Sequence, residues 1–276
     1  MASLYDSIEK SVGKYVKVED AEEEVCELYA VYYSSDTSDR LNLVDASKTE
    51  LEIEIQYGQR HIPLTIRQNP NINGELGQTG AVLWSSSVVM SEFFASKKAS
   101  GDWPIDGINA LELGSGCGLV GLTLHRLGAS RVVLTDQSRM MRLLSKNIDM
   151  NRLPSAKHRQ RQDIFAAEYI WGDAPEDQRV LSEPVDLVVV SDCVYHESVV
   201  PLLVRSLVDV CRAGREDGAP VVAVIGQELR SDLVHQVFLA QLLQHFTVHR
   251  VPISDGIDGV YVLYVAWLHR VTSERV

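Results

Sequence analysis

Three short stretches carry residue types whose spacing could do chemistry. The first is Glu112-Leu113-Gly114-Ser115-Gly116-Cys117-Gly118-Leu119-Val120-Gly121. It follows a buried apolar run and opens a helical pattern, where glycines allow a tight turn and close approach of backbone to a ligand. Gly116-x-Gly118-x-x-Gly121 fits a dinucleotide fingerprint, whereas Gly114-x-Gly116-x-Gly118 preceded by Glu112 fits a loop for S-adenosylmethionine. A pyrophosphate seeks an uncluttered positive helix end, and Glu112 would repel it; the same carboxylate can pair with the donor's cationic ammonium. That difference tips the reading towards S-adenosylmethionine. The second stretch ends at Asp136, 22 positions beyond Gly114. An acid there can accept both hydroxyls of a ribose in either ligand, and can also cap the following helix. The third is Ser191-Asp192-Cys193-Val194-Tyr195, where Asp192 and Tyr195 can orient an amine by hydrogen bonding. Cys193-Val194 stands where base-methylating enzymes carry Pro-Pro, so a flipped nucleobase loses its best marker. The bland alternative for this stretch is a helix cap followed by a core tyrosine.

These stretches need elements to hold them. Residues 108–114, 131–136, 185–192 and 219–226 read as buried strands, and 82–98, 115–127, 140–150, 199–211 and 232–245 as helices between them. A polar edge strand is expected near 156–163. Alternation of this kind implies an α/β, doubly wound sheet with ligands at the carboxyl ends of its strands. The chain closes differently: 246–252 and 259–270 are strands separated by only a turn, so they must pair antiparallel. A nicotinamide-binding domain would carry another parallel crossover there. The first 75 residues read as a β-rich extension, with period-2 patterns at 28–33, 51–57 and 61–68, the last two forming a hairpin about Gly58-Gln59-Arg60. The acidic run 19–27 reads as a solvated helix or linker. The expected division is therefore an extension over 1–75 and a catalytic domain over 76–276.

Composition limits the partners. The 276 residues carry 26 Lys and Arg against 38 Asp and Glu, a net charge of −12, which disfavours a protein built to grip phosphate backbones. Nucleic acid is not expected as the primary substrate. Four cysteines without metal or disulfide spacing, an N-terminus without a secretory core and no apolar run of membrane length point to a reduced cytoplasmic protein, with a nuclear pool also open. The eight histidines show no ligand spacing, and no metal is expected.

From residue 74 to 270 the chain resembles methyltransferase family 16, seven-β-strand methyltransferases whose characterised members are mostly protein-lysine methyltransferases. The matching features, in order, are Gly80-x-x-x-Trp84, the Glu112–Gly121 loop, Ile170-Trp171-Gly172 and Asp192-x-x-Tyr195. The resemblance implies a seven-stranded Rossmann-like sheet, with S-adenosyl-L-methionine as donor and S-adenosyl-L-homocysteine as product. It implies that Trp84 contacts the donor, Gly114, Ser115 and Gly116 wrap its amino-acid half, and Asp136 holds the ribose. Trp171 then packs near the adenine, with Ser191 and Asp192 flanking the donor; Glu112 is the expected ammonium partner. Asp192 and Tyr195 are the expected catalytic pair, binding a lysine ammonium, orienting it and easing loss of its proton before attack. The implied partner is a protein with a basic surface, such as a chaperone, translation factor or ribosomal protein, met by a monomeric enzyme. The acidic loop 173–183 and the 19–27 run are candidate contacts for it. The alternatives are an acceptor on histidine, a chain N-terminus or a small amine, an inactive cofactor-binding scaffold, and a nicotinamide oxidoreductase.

Overall fold

A computed structural model describes residues 3–34, 43–70, 79–152, 163–213, 218–253 and 260–269. The 75/76 boundary, residues 156–162 of the expected edge strand and most of the final turn lie outside them. After α1 (Leu4–Ser11), β1 (Val16–Val18) and α2 (Ala21–Ser34) comes the hairpin β2 (Glu50–Tyr57) and β3 (Arg60–Arg67). There follow α3 (Ser85–Ala99), β4 (Asn109–Leu113), α4 (Leu119–Arg126), β5 (Arg131–Asp136), α5 (Met141–Met150) and β6 (Asp163–Glu168). The rest comprises β7 (Leu187–Ser191), α6 (Val200–Ala213), β8 (Val222–Glu228), α7 (Asp232–Leu242), β9 (Phe246–Val251) and β10 (Tyr261–Leu268). No helix among the described residues is long and apolar enough to cross a membrane.

The main sheet has the order β1-β9-β10-β8-β7-β4-β5-β6. Strands β4 to β8 are parallel neighbours, while β10 runs antiparallel to both β8 and β9, as the closing pair of strands requires. Seven strands were expected; the eighth, β1, pairs antiparallel with β9 and brings the N-terminal segment onto the sheet edge. Period-2 alternation divides the core. Ala110, Val132, Leu134, Val189 and Val224 face α1, the hairpin, α3, α4 and α5, whereas Leu111, Val133, Val190, Ile225 and Tyr264 face α2, α6 and α7. At about 25 cal/mol per Å² of apolar surface removed from water, these two layers are the principal stabilising term.

Two expectations in the flanks are corrected. Residues 28–33, expected as a strand, form the second half of α2. Ala21, Glu24, Val25, Leu28, Tyr29 and Tyr32 are its buried residues, a helical three-and-four spacing that outweighs the β-favouring composition. Asp20 starts the helix, its Oδ1 accepting the N–H groups of Glu22 and Glu23 at 2.9 Å each. The acidic run is not wholly solvated: the Glu24 carboxylate is 4% exposed and paired with Arg250 at 3.0 Å. Among the described residues the edge strand β6 covers Asp163–Glu168, and the rest of the expected strand, 156–162, lies outside them.

Candidate active site

Strand order reverses beside β4: β5 lies on one side and β7 on the other. Their carboxyl ends part there, opening a cleft of about 1020 Å³ counted with its mouth. Trp84, Glu112, Gly114, Ser115, Gly116, Asp136, Trp171, Ser191, Asp192 and Tyr195 all line it. The structure thus gathers all ten residues singled out by the sequence.

The glycine loop has steric reasons for its composition. Gly114 has φ +68°, and a Cβ there would lie 2.6 Å from Trp171 Cζ2 and 2.7 Å from Cys193 Sγ. Gly116 has φ +53°, and its Cβ would meet the Gly80 carbonyl oxygen at 3.1 Å, which explains Gly80 ahead of Trp84 as a second point of close backbone approach. Gly121 serves packing instead, since a Cβ there would sit 2.0 Å from Leu134 Cδ2. Asp136 closes the loop: its Oδ2 accepts the Gly116 N–H at 2.8 Å and its Oδ1 the Gln137 N–H at 2.7 Å. Burial raises its pKa against the lowering effect of those two donors. Glu112 is turned inward. Its Oε2 accepts the Gly121 N–H at 3.0 Å, and burial pushes its carboxyl up to about 8. Near neutrality it therefore ties α4 to β4 largely as a neutral acid.

The other wall belongs to β7 and the loop after it. Ser191 Oγ is buried with no hydrogen-bond partner, an orphaned hydroxyl that a ligand in the cleft can satisfy. Asp192 is the non-glycine residue at positive φ among the described residues, at +58°. This turn presents its carboxylate to Arg230, which donates from Nη1 to Oδ1 at 2.6 Å and from Nη2 to Oδ2 at 2.7 Å. Arg230 also bonds Glu228 Oε2 at 2.7 Å and lies with Cζ 4.8 Å from the Trp84 ring centroid. Around the mouth, Trp84, Ile170, Tyr195 and Leu202 are large apolar residues left exposed at 36%, 52%, 39% and 44%. Glu228 and Arg230 escape a motif search. Glu228 is signalled only by its place at the carboxyl end of β8, parallel to β7, and Arg230 by nothing local.

The acidic loop fits a substrate contact less well. Asp177 is held by Arg179, whose guanidinium stacks 4.7 Å from the Phe165 centroid and whose carbonyl accepts from Arg131 at the amino end of β5. That half of the loop runs away from the cleft. His196 is exposed and its Nδ1 accepts the Ser198 N–H at 3.1 Å, the role of a turn residue.

The lysine methyltransferase family matches residues 62–243. The protein-lysine N-methyltransferase EFM6 of Saccharomyces cerevisiae is 29% identical over 58% of this chain and 68% of its own length. The EEF1A lysine methyltransferase 3 of Mus musculus is 28% identical over 71% of this chain and 75% of its own. A Schizosaccharomyces pombe protein named diaminohydroxyphosphoribosylamino-pyrimidine deaminase is 25% identical over 88% of this chain, which spans only 56% of that protein. Among solved structures, the T. Thermophilus 16S rRNA N2 G1207 methyltransferase RsmC with AdoMet and guanosine gives a TM-score of 0.51 at 15% identity, covering 80% of this chain and 51% of that one. At that identity the likeness is one of fold.

Proposed function

This chain belongs to the lysine methyltransferase family, and from that premise we propose that Asp192 and Tyr195 receive the ε-amine of a protein lysine at the mouth of the cleft. The protein is an S-adenosylmethionine-dependent N-methyltransferase acting on protein lysine. The observation that carries the reading is the meeting of the glycine loop, Asp136, the unpartnered Ser191 hydroxyl and the Asp192–Tyr195 turn in one cleft at the switch point. Those residues suit S-adenosylmethionine: a loop kept free of side chains, a ribose acceptor, and an orphan hydroxyl. When bound, the cofactor supplies a methyl group on a sulfonium for in-line transfer to an amine.

The chain's own residues then have distinct tasks. Gly114, Ser115 and Gly116 keep the loop open for the donor's amino-acid half, and Asp136 holds the ribose. Trp171 walls the cleft beside Gly114, near the adenine. Glu112 is proposed as the anchor of that loop and, with ligand present, as the partner of its ammonium. Trp84 closes the acceptor side. Asp192 and Tyr195 bind the lysine head group, orient it and accept a hydrogen bond as its proton leaves to water. Residues 76–276 are proposed as the catalytic domain and 1–75 as the extension that selects substrate. The favoured substrate is a translation factor with a basic surface, suggested by the name of the mouse relative and by the net charge of −12. A cytoplasmic setting, with a nuclear pool, fits the four free cysteines, and the enzyme is proposed to act as a monomer.

The test is incubation of a lysate lacking this enzyme with the purified protein and methyl-labelled S-adenosylmethionine. Label is expected in protein, and Asp192→Ala is expected to abolish it while S-adenosylhomocysteine still binds and NAD does not. Label confined to RNA or small molecules contradicts the reading.

A further inference from the structure

The contacts of Arg230 deepen that reading and rest on it. A guanidinium clamped by two carboxylates over a tryptophan face is the arrangement that binds a cationic side chain from a partner. Here the cation is the chain's own. The Asp192 carboxylate is 3% exposed and that of Glu228 19%, while Arg230, which covers them, remains 35% exposed. The two acids and one guanidinium leave one net negative charge in this corner. Tyr261 stands opposite Glu228 across the β8–β10 pairing. The backbone under Arg230 is fixed, since Leu229 is fully buried and its N–H donates to the Val260 carbonyl at 2.7 Å. Only the long side chain is placed to leave.

We propose that Asp192, Glu228 and Trp84 form the binding site for the substrate's cationic side chain, and that Arg230 is a resident cation which the incoming lysine displaces. Glu228 thereby becomes a substrate-binding residue beside Asp192. The resident cation pairs with both acids when no substrate is present, so neither carboxylate is left buried without a partner. It also sets a threshold. An acceptor meets an open site only in the fraction of molecules whose Arg230 has swung out, and its apparent affinity falls by that fraction. Selectivity for lysines in a basic setting follows, because neighbouring positive charge helps expel the guanidinium.

The first measurement needs no methyl transfer. Wild type and Arg230→Ala are titrated with n-butylammonium, a mimic of the lysine side chain, and followed through the indole N–H resonance of Trp84. Arg230→Ala is expected to bind it at least about tenfold more tightly than wild type, and adding Glu228→Gln to lose that gain. Equal binding by the two proteins overturns the proposal. Arg230→Lys retains the charge and carries the test where Arg230→Ala fails to fold. Given S-adenosylmethionine, the amine at 230 is expected to be methylated in the same chain. It loses a proton to water, its lone pair forms the N–CH₃ bond, and the S–CH₃ pair returns to sulfur, converting the sulfonium to a thioether. Mass spectrometry of the peptide spanning 230 reads this as added methyl groups that wild type lacks. An Arg230→Lys enzyme that labels lysate protein yet stays unmodified at 230 overturns the inference and leaves the activity standing. Should wild type label no protein, the activity reading fails, and the n-butylammonium titration decides the site on its own.

Discussion

Glu112 and Asp192 are both carboxylates on the wall of one cleft, yet their surroundings give them opposite electrostatic lives. Burial lifts Glu112 from 4.5 to about 8, whereas Asp192 is paired with the Arg230 guanidinium at 2.6 Å. For Glu112 the folded state keeps a proton that the unfolded chain releases. Its contribution to stability is therefore complete below pH 4.5 and is lost as pH rises through about 8. Glu112→Gln imitates the neutral acid and keeps an oxygen for the Gly121 N–H, so it should flatten the fall in urea midpoint between about pH 5 and 8. A decline as steep as wild type would contradict the inward role. Gly114→Ala should abolish S-adenosylhomocysteine binding in a calorimetric titration, because its Cβ would sit 2.6 Å from Trp171 on a backbone at φ +68°. At this scale the sequence revealed what was contiguous. The glycine loop, Asp136 and Asp192–Tyr195 announce themselves through local order. Glu228 and Arg230 meet Asp192 from another strand and loop, through contacts that no spacing encodes.

Between elements, the hairpin is tied to the catalytic core by two asparagines, Asn147 of α5 and Asn151 at its C-terminal cap. Asn147 Oδ1 accepts the Arg67 N–H at 2.8 Å, and its Nδ2 donates to the carbonyls of Arg67 at 2.9 Å and Cys117 at 2.8 Å. Asn151 bonds the Thr65 N–H and carbonyl in the same way, at 3.0 and 2.8 Å. The two side chains act as a short false strand along the edge of β3, and Asn147 carries the tie on to the glycine loop. Asn147→Ala should lower stability by about 2–4 kcal/mol, since three buried or part-buried backbone groups lose a partner. It should also weaken S-adenosylhomocysteine binding; a urea midpoint close to wild type would contradict the tie. The hairpin itself was legible, as its alternation and the Gly58 turn are local. Its docking was not, because an asparagine on a helix reads as a surface residue until the tertiary structure supplies β3. The misread of 28–33 has a related cause: aromatic and β-branched residues imitate a strand, while the stripe from Ala21 to Tyr32 needs a longer window.

Across the molecule, the two ends of the chain meet in one buried polar group. Tyr264 of β10 donates to Glu24 of α2 at 3.2 Å and lies 3.0 Å from Nε2 of His235 on α7, while Arg250 of β9 pairs with Glu24 and Glu27. Burial pushes His235 from 6.5 down to about 3, so it is neutral in the folded state and binds a proton only on unfolding. Its share of stability is present above pH 6.5 and is lost as pH falls through about 3. His235→Gln, which can still bond Tyr264, should make the acid limb of the stability curve shallower by about one proton across that window. An unchanged slope would contradict the assignment. None of this network could be read from sequence, whereas the doubly wound sheet and its antiparallel closing pair followed from the αβ alternation and the short final turn. The central claim joins this scaffold to one bond, a methyl group placed on a lysine nitrogen held at the end of β7. Its most direct measurement is fragmentation mass spectrometry of the protein labelled in lysate by wild type and by Asp192→Ala. Methyl on a lysine ε-nitrogen, present with wild type and absent with the variant, is the predicted result; methyl on histidine or on a chain N-terminus, or lysine labelling undiminished by Asp192→Ala, would contradict it.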